Sequence, residues 1–311
     1  MATWNRSAAT DFLLLGLSED PNVQIVLFVL FFIIYLITII GNAILITVCT
    51  CDARLHTPMY FFLVNLSFVD ICYSSVTVPN MLVQLLLVGR KIDFSACATQ
   101  MYTYILMACT ECVLLAVMAY DRYVAITFPL RYTVIMSRSV CITLGVCCWM
   151  CGSLMGLLDT FFTIRLPLCG ASVINHYFCE ATAFLKIVCV DTFIAEMVIF
   201  SVGIVVLLIP SLIILFTYIQ IVSTIMGIRS AEGRCKAFST CASHLIVVTM
   251  FYTTAIFLYM KPVSRDSGNQ EKVFSLFYTV TPPMLNPLIY SLRNKDVKVA
   301  LQKLLHRHIF H

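Results

Sequence analysis

The stretch from 25 to 50 reads IVLFVLFFIIYLITIIGNAILITVCT, and it decides the class of fold. No Lys, Arg, Asp or Glu occurs between Asp20 and Asp52, so the whole stretch is uncharged. An α-helix rises about 1.5 Å per residue, and the apolar core of a bilayer needs about 20 such residues. The stretch is therefore long enough and apolar enough to cross a membrane as one helix.

Charged residues divide the rest of the chain into similar pieces. Of the 311 residues, 60% are hydrophobic and 12% are charged, whereas a soluble domain carries about 25% charged residues. A soluble core could not bury so much apolar surface, and a chain this apolar is not disordered. Seven candidate spans result, at 25–50, 58–87, 97–126, 139–162, 196–226, 237–260 and 272–292. We predict one all-α integral membrane domain over residues 1–311, built as a seven-transmembrane helix bundle.

The basic residues indicate how the bundle is oriented, because cytoplasmic loops carry an excess of Lys and Arg. With the N-terminus outside, the cytoplasmic side holds twelve basic and four acidic residues, a net charge of +8 against about −1 outside. Asn5-Arg6-Ser7 is a glycosylation acceptor that only an extracellular N-terminus could use. We expect a multi-pass plasma-membrane protein with Asn5 glycosylated outside and the C-terminus in the cytoplasm.

The last segment, 293–305, differs from the spans. Apolar residues alternate there with basic ones at helical spacing. Such a pattern is typical of a short amphipathic helix that lies on the inner leaflet. The sequence thus indicates membrane lipids, and no nucleic acid, as partners of this surface.

The fifteen cysteines divide by compartment. Four of them fall on the outer, oxidising side, where three pairings are open: Cys97, Cys169, Cys179 and Cys189. The other eleven are expected to stay reduced. The group Cys147, Cys148 and Cys151 resembles a metal cluster, but small residues on a membrane helix favour packing. The adjacent Gly152-x-x-x-Gly156 spacing favours the same interpretation.

Five strings of residues mark the inner halves of the spans. They are Gly41-Asn42, LHTPMYFFLVNLSFVD at 55–70, MAYDRYVAI at 118–126, KAFSTCASHL at 236–245 and PMLNPLIYSLRNK at 283–295. Asp-Arg-Tyr alone is a weak signal, but five strings in this order are specific. The chain resembles a rhodopsin-type G protein-coupled receptor, and within that class a tetrapod-type (class II) olfactory receptor.

The resemblance implies a function and a set of switch residues. A volatile odorant would bind in the outer half of the bundle, and a stimulatory (olfactory-type) G protein would raise cyclic AMP. Arg122 would contact the G protein after span six swings outward, although a basic residue there also suits a simple topology anchor. The implied switch residues are Asp121, Arg122, Tyr123, Tyr218, His244, Asn286, Pro287 and Tyr290. The same resemblance implies the disulfides Cys97–Cys179 and Cys169–Cys189.

Asp70 and Glu111 are the two acids deepest in the predicted bundle. An isolated carboxylate at the midplane costs a few kcal/mol, so each needs a partner. The two could share a cation such as sodium, one could be protonated, or both could belong to a polar packing network. Asn42, Asn286 and Ser67 could supply neutral ligands. Sodium is the one candidate cofactor, and the alternatives stay open.

The ligand pocket is expected between the outer halves of spans three, five, six and seven. Helical spacing outward from Arg122 selects the following residues, each of which also suits simple helix packing: Tyr104, Ile105, Ala108, Cys109, Cys112, Ile199, Val202, Gly203, Val206, Tyr252, Ala255, Ile256, Tyr259, Leu276 and Thr279. This lining has no carboxylate at the level of Tyr104, where an amine would need one. We therefore predict a small, mostly apolar volatile with one or two hydrogen-bonding groups.

Other classes of membrane protein fit less well. No internal repeat suggests a transporter, no re-entrant segment suggests a channel, and no nucleophile–base or His-Glu-x-x-His pattern suggests an enzyme. The closest rival is a non-olfactory receptor of the same class for another small lipophilic ligand. The strings around Pro58 and His244 count against it.

Overall fold

The computed structural model describes residues 11–18, 20–87, 89, 91–168, 172–260, 268–293 and 295–309. Seven long helices follow one another: α1 (Pro21–Cys51), α2 (Pro58–Leu86), α3 (Phe94–Thr127), α4 (Arg138–Ile164), α5 (Phe193–Met226), α6 (Ala231–Tyr259) and α7 (Gly268–Arg293). They lie over the seven predicted spans, and α6 begins before its predicted start at 237. A further helix, α8 (Lys295–Ile309), covers the segment predicted to be amphipathic. Within the described residues, α1 to α6 are apolar enough to cross a membrane by composition alone, and α7 is more polar.

Short polar residues begin two of these helices. The Asp20 carboxylate accepts hydrogen bonds from the backbone N–H groups of Asn22 and Val23, and Pro21 occupies the first turn of α1. The Asp93 carboxylate accepts from the backbone N–H of Ala96 in the first turn of α3. Such caps satisfy N–H groups that have no partner inside the helix. The sequence thus starts these two helices with a local signal before any packing occurs.

Small residues bring α4 against α3. A Cβ atom on Gly152 would lie 2.1 Å from Oγ1 of Thr110 and 2.7 Å from the backbone oxygen of Leu106. A Cβ on Gly156 would lie 3.2 Å from the backbone oxygen of Tyr102. The glycines therefore allow the two backbones to approach closely, as their spacing predicts. In the described part of the chain no group of His, Cys, Asp and Glu residues could hold a metal ion, and the three neighbouring cysteines are free.

A small sheet, which the sequence does not predict, joins three segments at the end of the bundle that is expected to face outside, called the outer end below. Strand β1 (Asp11–Leu14) pairs antiparallel with β2 (Lys91–Asp93) and parallel with β3 (Val173–Ile174). The N-terminal segment is therefore the central strand, between the α2–α3 loop and the α4–α5 loop. Phe12 on β1 is fully buried and meets the ring of Phe184 edge-on at 5.5 Å. The three segments close the outer end of the bundle.

Candidate functional site

A cavity of about 60 Å³ lies towards the outer end, between α3, α4, α5, the end of α6, α7 and the α4–α5 loop. Ten residues expected in a ligand pocket line it: Tyr104, Ile105, Ala108, Cys109, Cys112, Ile199, Val202, Gly203, Val206 and Tyr259. The first five share one face of α3, because an α-helix repeats every 3.6 residues. A cavity of this size has room for a few water-sized groups.

The lining of α5 depends on an irregular turn. Residues Ile204–Leu208 form a π-helical segment just before Pro210. A wide turn of this kind is typical of functional sites, and it shifts the register of the side chains that follow. Gly203 precedes it, and a Cβ there would lie 3.0 Å from Sδ of Met260. The missing side chain at 203 thus leaves room where α5 meets the end of α6.

The α4–α5 loop forms the roof of the cavity. A disulfide joins Cys97 at the start of α3 to Cys179 in this loop. Beside it, the side-chain oxygen of Gln100 accepts from the backbone N–H of Cys179 at 3.0 Å, and its Nε2 donates to the backbone oxygen of Val76 at 2.8 Å. The loop is therefore held on α3 by one covalent bond and by a side chain that also contacts α2.

Aromatic side chains fill the space under this roof. The ring of Tyr104 lies 4.5 Å from that of Phe178, and its hydroxyl is 3.0 Å from the hydroxyl of Tyr259. Tyr177 reaches α7, where its hydroxyl lies 3.2 Å from Ser275 and donates to Thr279 at 3.4 Å. The loop thereby occupies the space in front of α7, and the cavity is shifted towards α5.

Two carboxyl groups also face the cavity. Asp159 projects from α4 and Glu180 from the loop, and both are buried. The sequence predicts a lining without a carboxylate at the level of Tyr104, and that prediction is wrong. The expected lining came from spans three, five, six and seven, whereas these acids come from α4 and from the loop folded over the cavity.

The second polar site lies deeper, where α2, α3 and α7 meet. Asp70, Glu111 and Asn286 are all buried. Nδ2 of Asn286 donates to both carboxylate oxygens of Asp70, at 3.2 and 3.0 Å. Both oxygens of Glu111 and Oδ1 of Asn286 are buried without a hydrogen-bond partner among the described residues, and Glu111 interacts electrostatically with Asp70. The cluster therefore presents several oxygen acceptors to one small volume.

The Gly41-Asn42 string is explained by the prolines of α7. Pro287 has no N–H, so the backbone oxygen of Pro283 loses its helical partner. Nδ2 of Asn42 donates to that oxygen at 3.0 Å. A Cβ on Gly41 would lie 3.1 Å from Cγ of Pro287, so a glycine allows α1 to approach the bend. The two strings, far apart in sequence, form one contact.

At the inner end of α3, Asp121 and Arg122 are buried. Oδ1 of Asp121 accepts a hydrogen bond of 2.8 Å from the hydroxyl of Tyr132 in the α3–α4 loop. Burial, and next the Asp121 carboxylate, raise the pKa of Tyr132, so its hydroxyl keeps the proton that it donates. Nε of Arg122 and the hydroxyl of Tyr290 have no hydrogen-bond partner in the described part of the chain. Half-buried Tyr123 packs on Phe128, with ring centroids 5.9 Å apart.

His244 links three helices just above this end. Its Nε2 lies 3.1 Å from the backbone oxygen of Leu115 on α3, and its Nδ1 lies 2.7 Å from the hydroxyl of Tyr218 on α5. Because a carbonyl only accepts, Nε2 carries the proton of the neutral ring and Nδ1 accepts from Tyr218. The inner ends of α3, α5 and α6 are thus joined through one buried imidazole.

Comparison with known proteins decides the family. A family model described as olfactory receptor matches residues 31–308. The chain belongs to the olfactory receptor family. Human olfactory receptor 13D1 is 50% identical over 309 residues, which is 99% of this chain and 89% of that receptor. Human olfactory receptor 2K2 is 51% identical over 300 residues (96% and 95%), and the canine olfactory receptor-like protein OLF3 is 50% identical over 305 (98% and 96%).

The protein is therefore an odorant receptor and a multi-pass membrane protein of the seven-helix class, as its motifs predict. The predicted Cys97–Cys179 disulfide is present. Cys189 is also disulfide-bonded, and Cys169, its predicted partner, lies outside the described residues. The glycosylation acceptor Asn5 lies outside them as well.

Five residues expected in the pocket of this receptor do not line the cavity: Tyr252, Ala255, Ile256, Leu276 and Thr279. The hydroxyl of Tyr252 instead donates to the backbone oxygen of Cys112 at 2.7 Å and ties α6 to α3. Thr279 is covered by Tyr177 of the loop. Helical spacing identifies which face of a helix points inward, but it does not reveal what a folded loop places in front of that face.

Six residues that line the cavity of this receptor were not predicted from the sequence: Asp159, Glu180, Ala181, Thr182, Leu207 and Tyr278. Leu207 lies in the π segment, whose wider turn breaks the spacing used for α5. Glu180 and Thr182 follow shortly after Cys179, so the bridge expected between Cys97 and Cys179 could have placed them over the cavity. Asp159 is the single acid in 139–162, and that isolated charge was the available signal.

Proposed function

We propose that this receptor binds a small, mostly apolar volatile in its outer cavity and activates a stimulatory, olfactory-type G protein at its inner end. The observation that carries the proposal is the cavity itself, closed by the disulfide-bound loop and lined by ten of the residues expected to bind ligand. Its lining is largely aliphatic and aromatic, which suits a compact apolar ligand.

The inner end supports the coupling half of the proposal. Arg122 lies buried at the end of α3, close to the α5–α6 link through His244. In this proposal the outward swing of α6 breaks that link and opens Arg122 to the G protein. Such rigid-body shifts of helices are a common form of switching. Pro287, Tyr290 and Tyr123 belong to the same proposed switch.

The proposal includes an orientation and a cation. The N-terminus, with glycosylated Asn5, lies outside the plasma membrane, and α8 lies on the inner leaflet. Asp70, Glu111 and Asn286 would hold a sodium ion, since their buried oxygen atoms are the ligands that a hard cation prefers. The ion would supply a positive charge that offsets part of the negative charge of the paired carboxylates.

The experiment is a cyclic AMP assay in cells that carry the full-length receptor at the surface. We expect at least one volatile from a chemically diverse panel to raise cyclic AMP. Arg122→Gln is expected to lower that response by tenfold or more at equal surface expression, because the contact with the G protein is lost. The matched control is Arg131→Gln, an exposed arginine of the α3–α4 loop.

Two results would overturn the proposal. If the receptor is well expressed at the surface and responds to no volatile of the panel, the cavity is not an odorant site. Full signalling by the Arg122 variant would leave ligand binding in place and remove the coupling role of Arg122.

A further inference from the structure

The two acids of the outer cavity have no role in the function proposed so far. Asp159 is 6% exposed and Glu180 is 5% exposed, and both line the cavity. They interact electrostatically with each other. Two carboxylates in one small apolar cavity are an expensive arrangement, because burial removes the water that stabilises their charge.

Glu180 is held in place by its neighbours. Its Oε2 accepts from the hydroxyl of Thr182 at 2.5 Å and from the backbone N–H of Ala183 at 2.8 Å, at the start of the one-turn helix Ala181–Leu185. Its orientation is therefore explained by the structure of the loop.

Asp159 has no such explanation. Its Oδ1 is buried and accepts no hydrogen bond, and no basic side chain in the described residues forms an ion pair with it. Two hydroxyl groups of the lining, on Tyr104 and Tyr259, are hydrogen-bonded to each other at 3.0 Å. Asp159 therefore presents a buried acceptor atom to the cavity, and that atom has no partner among the described residues.

We propose that the cavity binds small aliphatic amines in their ammonium form, with the charged nitrogen against Asp159. This inference rests on the proposed function, since it takes the cavity as the odorant site. An ammonium group brings the donors and the positive charge that Asp159 lacks, and Glu180 adds a second negative charge nearby. The aliphatic side chains of α3 and α5 contact the hydrocarbon part, and the two acids repel a carboxylate ligand.

The test uses three probes of matched chain length: butylamine, butanol and butyric acid. Butylamine is expected to raise cyclic AMP in cells that carry the wild-type receptor, and butyric acid is not. Asp159→Asn is expected to raise the concentration of butylamine needed for half-maximal response by about tenfold or more, because one partner of a buried charge pair is lost. The response to butanol, or to another neutral volatile that activates the receptor, is expected to stay within about twofold.

Controls separate binding from folding. Surface expression is measured for each variant. The control variant is Asp191→Asn, which removes an exposed acid of the α4–α5 loop that does not line the cavity. Asp159→Glu keeps the charge and is expected to retain the preference for butylamine over butanol. If the Asn variant fails to reach the surface, N-butylacetamide tests the wild-type receptor. It keeps the chain but lacks the charge, so we expect it to be at least about tenfold weaker than butylamine.

The outcomes distinguish this inference from the proposed function. Activation by neutral volatiles without activation by butylamine would overturn the amine site and leave the odorant site intact. An equal loss of the amine and neutral responses in Asp159→Asn would show that Asp159 is structural, and would also overturn it. A surface-expressed receptor silent to every volatile would remove the proposed function, and this inference with it.

Discussion

The two ends of the helix bundle are held together in different ways. At the outer end, the Cys97–Cys179 disulfide and the three-stranded sheet connect the N-terminal segment to two loops. Nε2 of Gln84 adds a hydrogen bond of 3.0 Å to the backbone oxygen of Tyr177. At the inner end, the contacts are side-chain hydrogen bonds, from Tyr132 to Asp121 and from Tyr218 to His244.

This difference separates a rigid part from a part that can rearrange. A covalent bond and a sheet keep the shape of the cavity roof, which selectivity for a small ligand requires. Hydrogen bonds of about 1 kcal/mol each can be exchanged as helices move. The inner half also contains polar atoms without a partner in the described chain, including Nε of Arg122 and the hydroxyl of Tyr290, which are available for new contacts.

The largest expected effect comes from opening the outer end. Cys179→Ser removes the disulfide, and loss of a native disulfide costs about 2–5 kcal/mol of stability. We expect surface expression to fall to background, since the loop also carries Glu180 and Tyr177. Antibody staining of intact cells measures it, with the exposed free cysteine Cys235→Ser as the control. A Cys179 variant with normal surface delivery and response would show that the roof does not depend on the bond.

A smaller effect is expected from loosening the inner end. His244→Phe keeps an aromatic ring but removes the hydrogen bonds to Leu115 and Tyr218, each worth about 1 kcal/mol. We expect basal cyclic AMP to rise by about threefold to tenfold, since a change of 1.4 kcal/mol shifts an equilibrium tenfold.

The control for that variant is His56→Phe, which replaces an exposed histidine of the α1–α2 loop. Basal signalling and surface expression are measured together for both. Unchanged basal signalling in His244→Phe would mean that this link does not hold the inner end closed.

The smallest effect is expected from the central cluster, between the two ends. If Asp70, Glu111 and Asn286 hold sodium, sodium at about ten times its Kd for this site stabilises the folded receptor by about 1.4 kcal/mol. When sodium chloride replaces choline chloride, we therefore expect the Tm of the purified receptor to rise by about 2–4 °C. Glu111→Gln removes a charged ligand and is expected to abolish that difference. A sodium-dependent shift that persists in Glu111→Gln, or is absent from the wild type, would contradict the site.

Much of the fold was predictable because local signals carry it. The uncharged stretches between residues such as Asp20 and Asp52 set where helices lie, since a helix must satisfy its own backbone inside a bilayer. The five strings identified the family, and they carry the residues of the proposed inner switch. The Gly152-x-x-x-Gly156 spacing predicted the close packing of α4 on α3. A Cβ atom on Gly152 would lie 2.1 Å from Oγ1 of Thr110, so the packing requires a residue without a side chain.

The candidate ligand site was predictable only in part. Side chains on the inward faces of α3 and α5 follow from helical periodicity, except in the π segment that contains Leu207. The path of the α4–α5 loop determines that Tyr177 covers Thr279 and that Glu180 lies over the cavity. Loop paths have no periodicity in sequence, so these contacts could not be derived from spacing.

The sequence by itself determined a membrane protein of seven helices and its family, because each depends on composition or on short strings. The tertiary structure decided which groups share the outer cavity. Asp159 and Glu180 are 21 residues apart in the chain, on α4 and on the α4–α5 loop. They line the same cavity because the loop folds over it, next to the Cys97–Cys179 disulfide. Whether a buried charge has a partner depends on distances in space, and those distances exist only after the chain has folded.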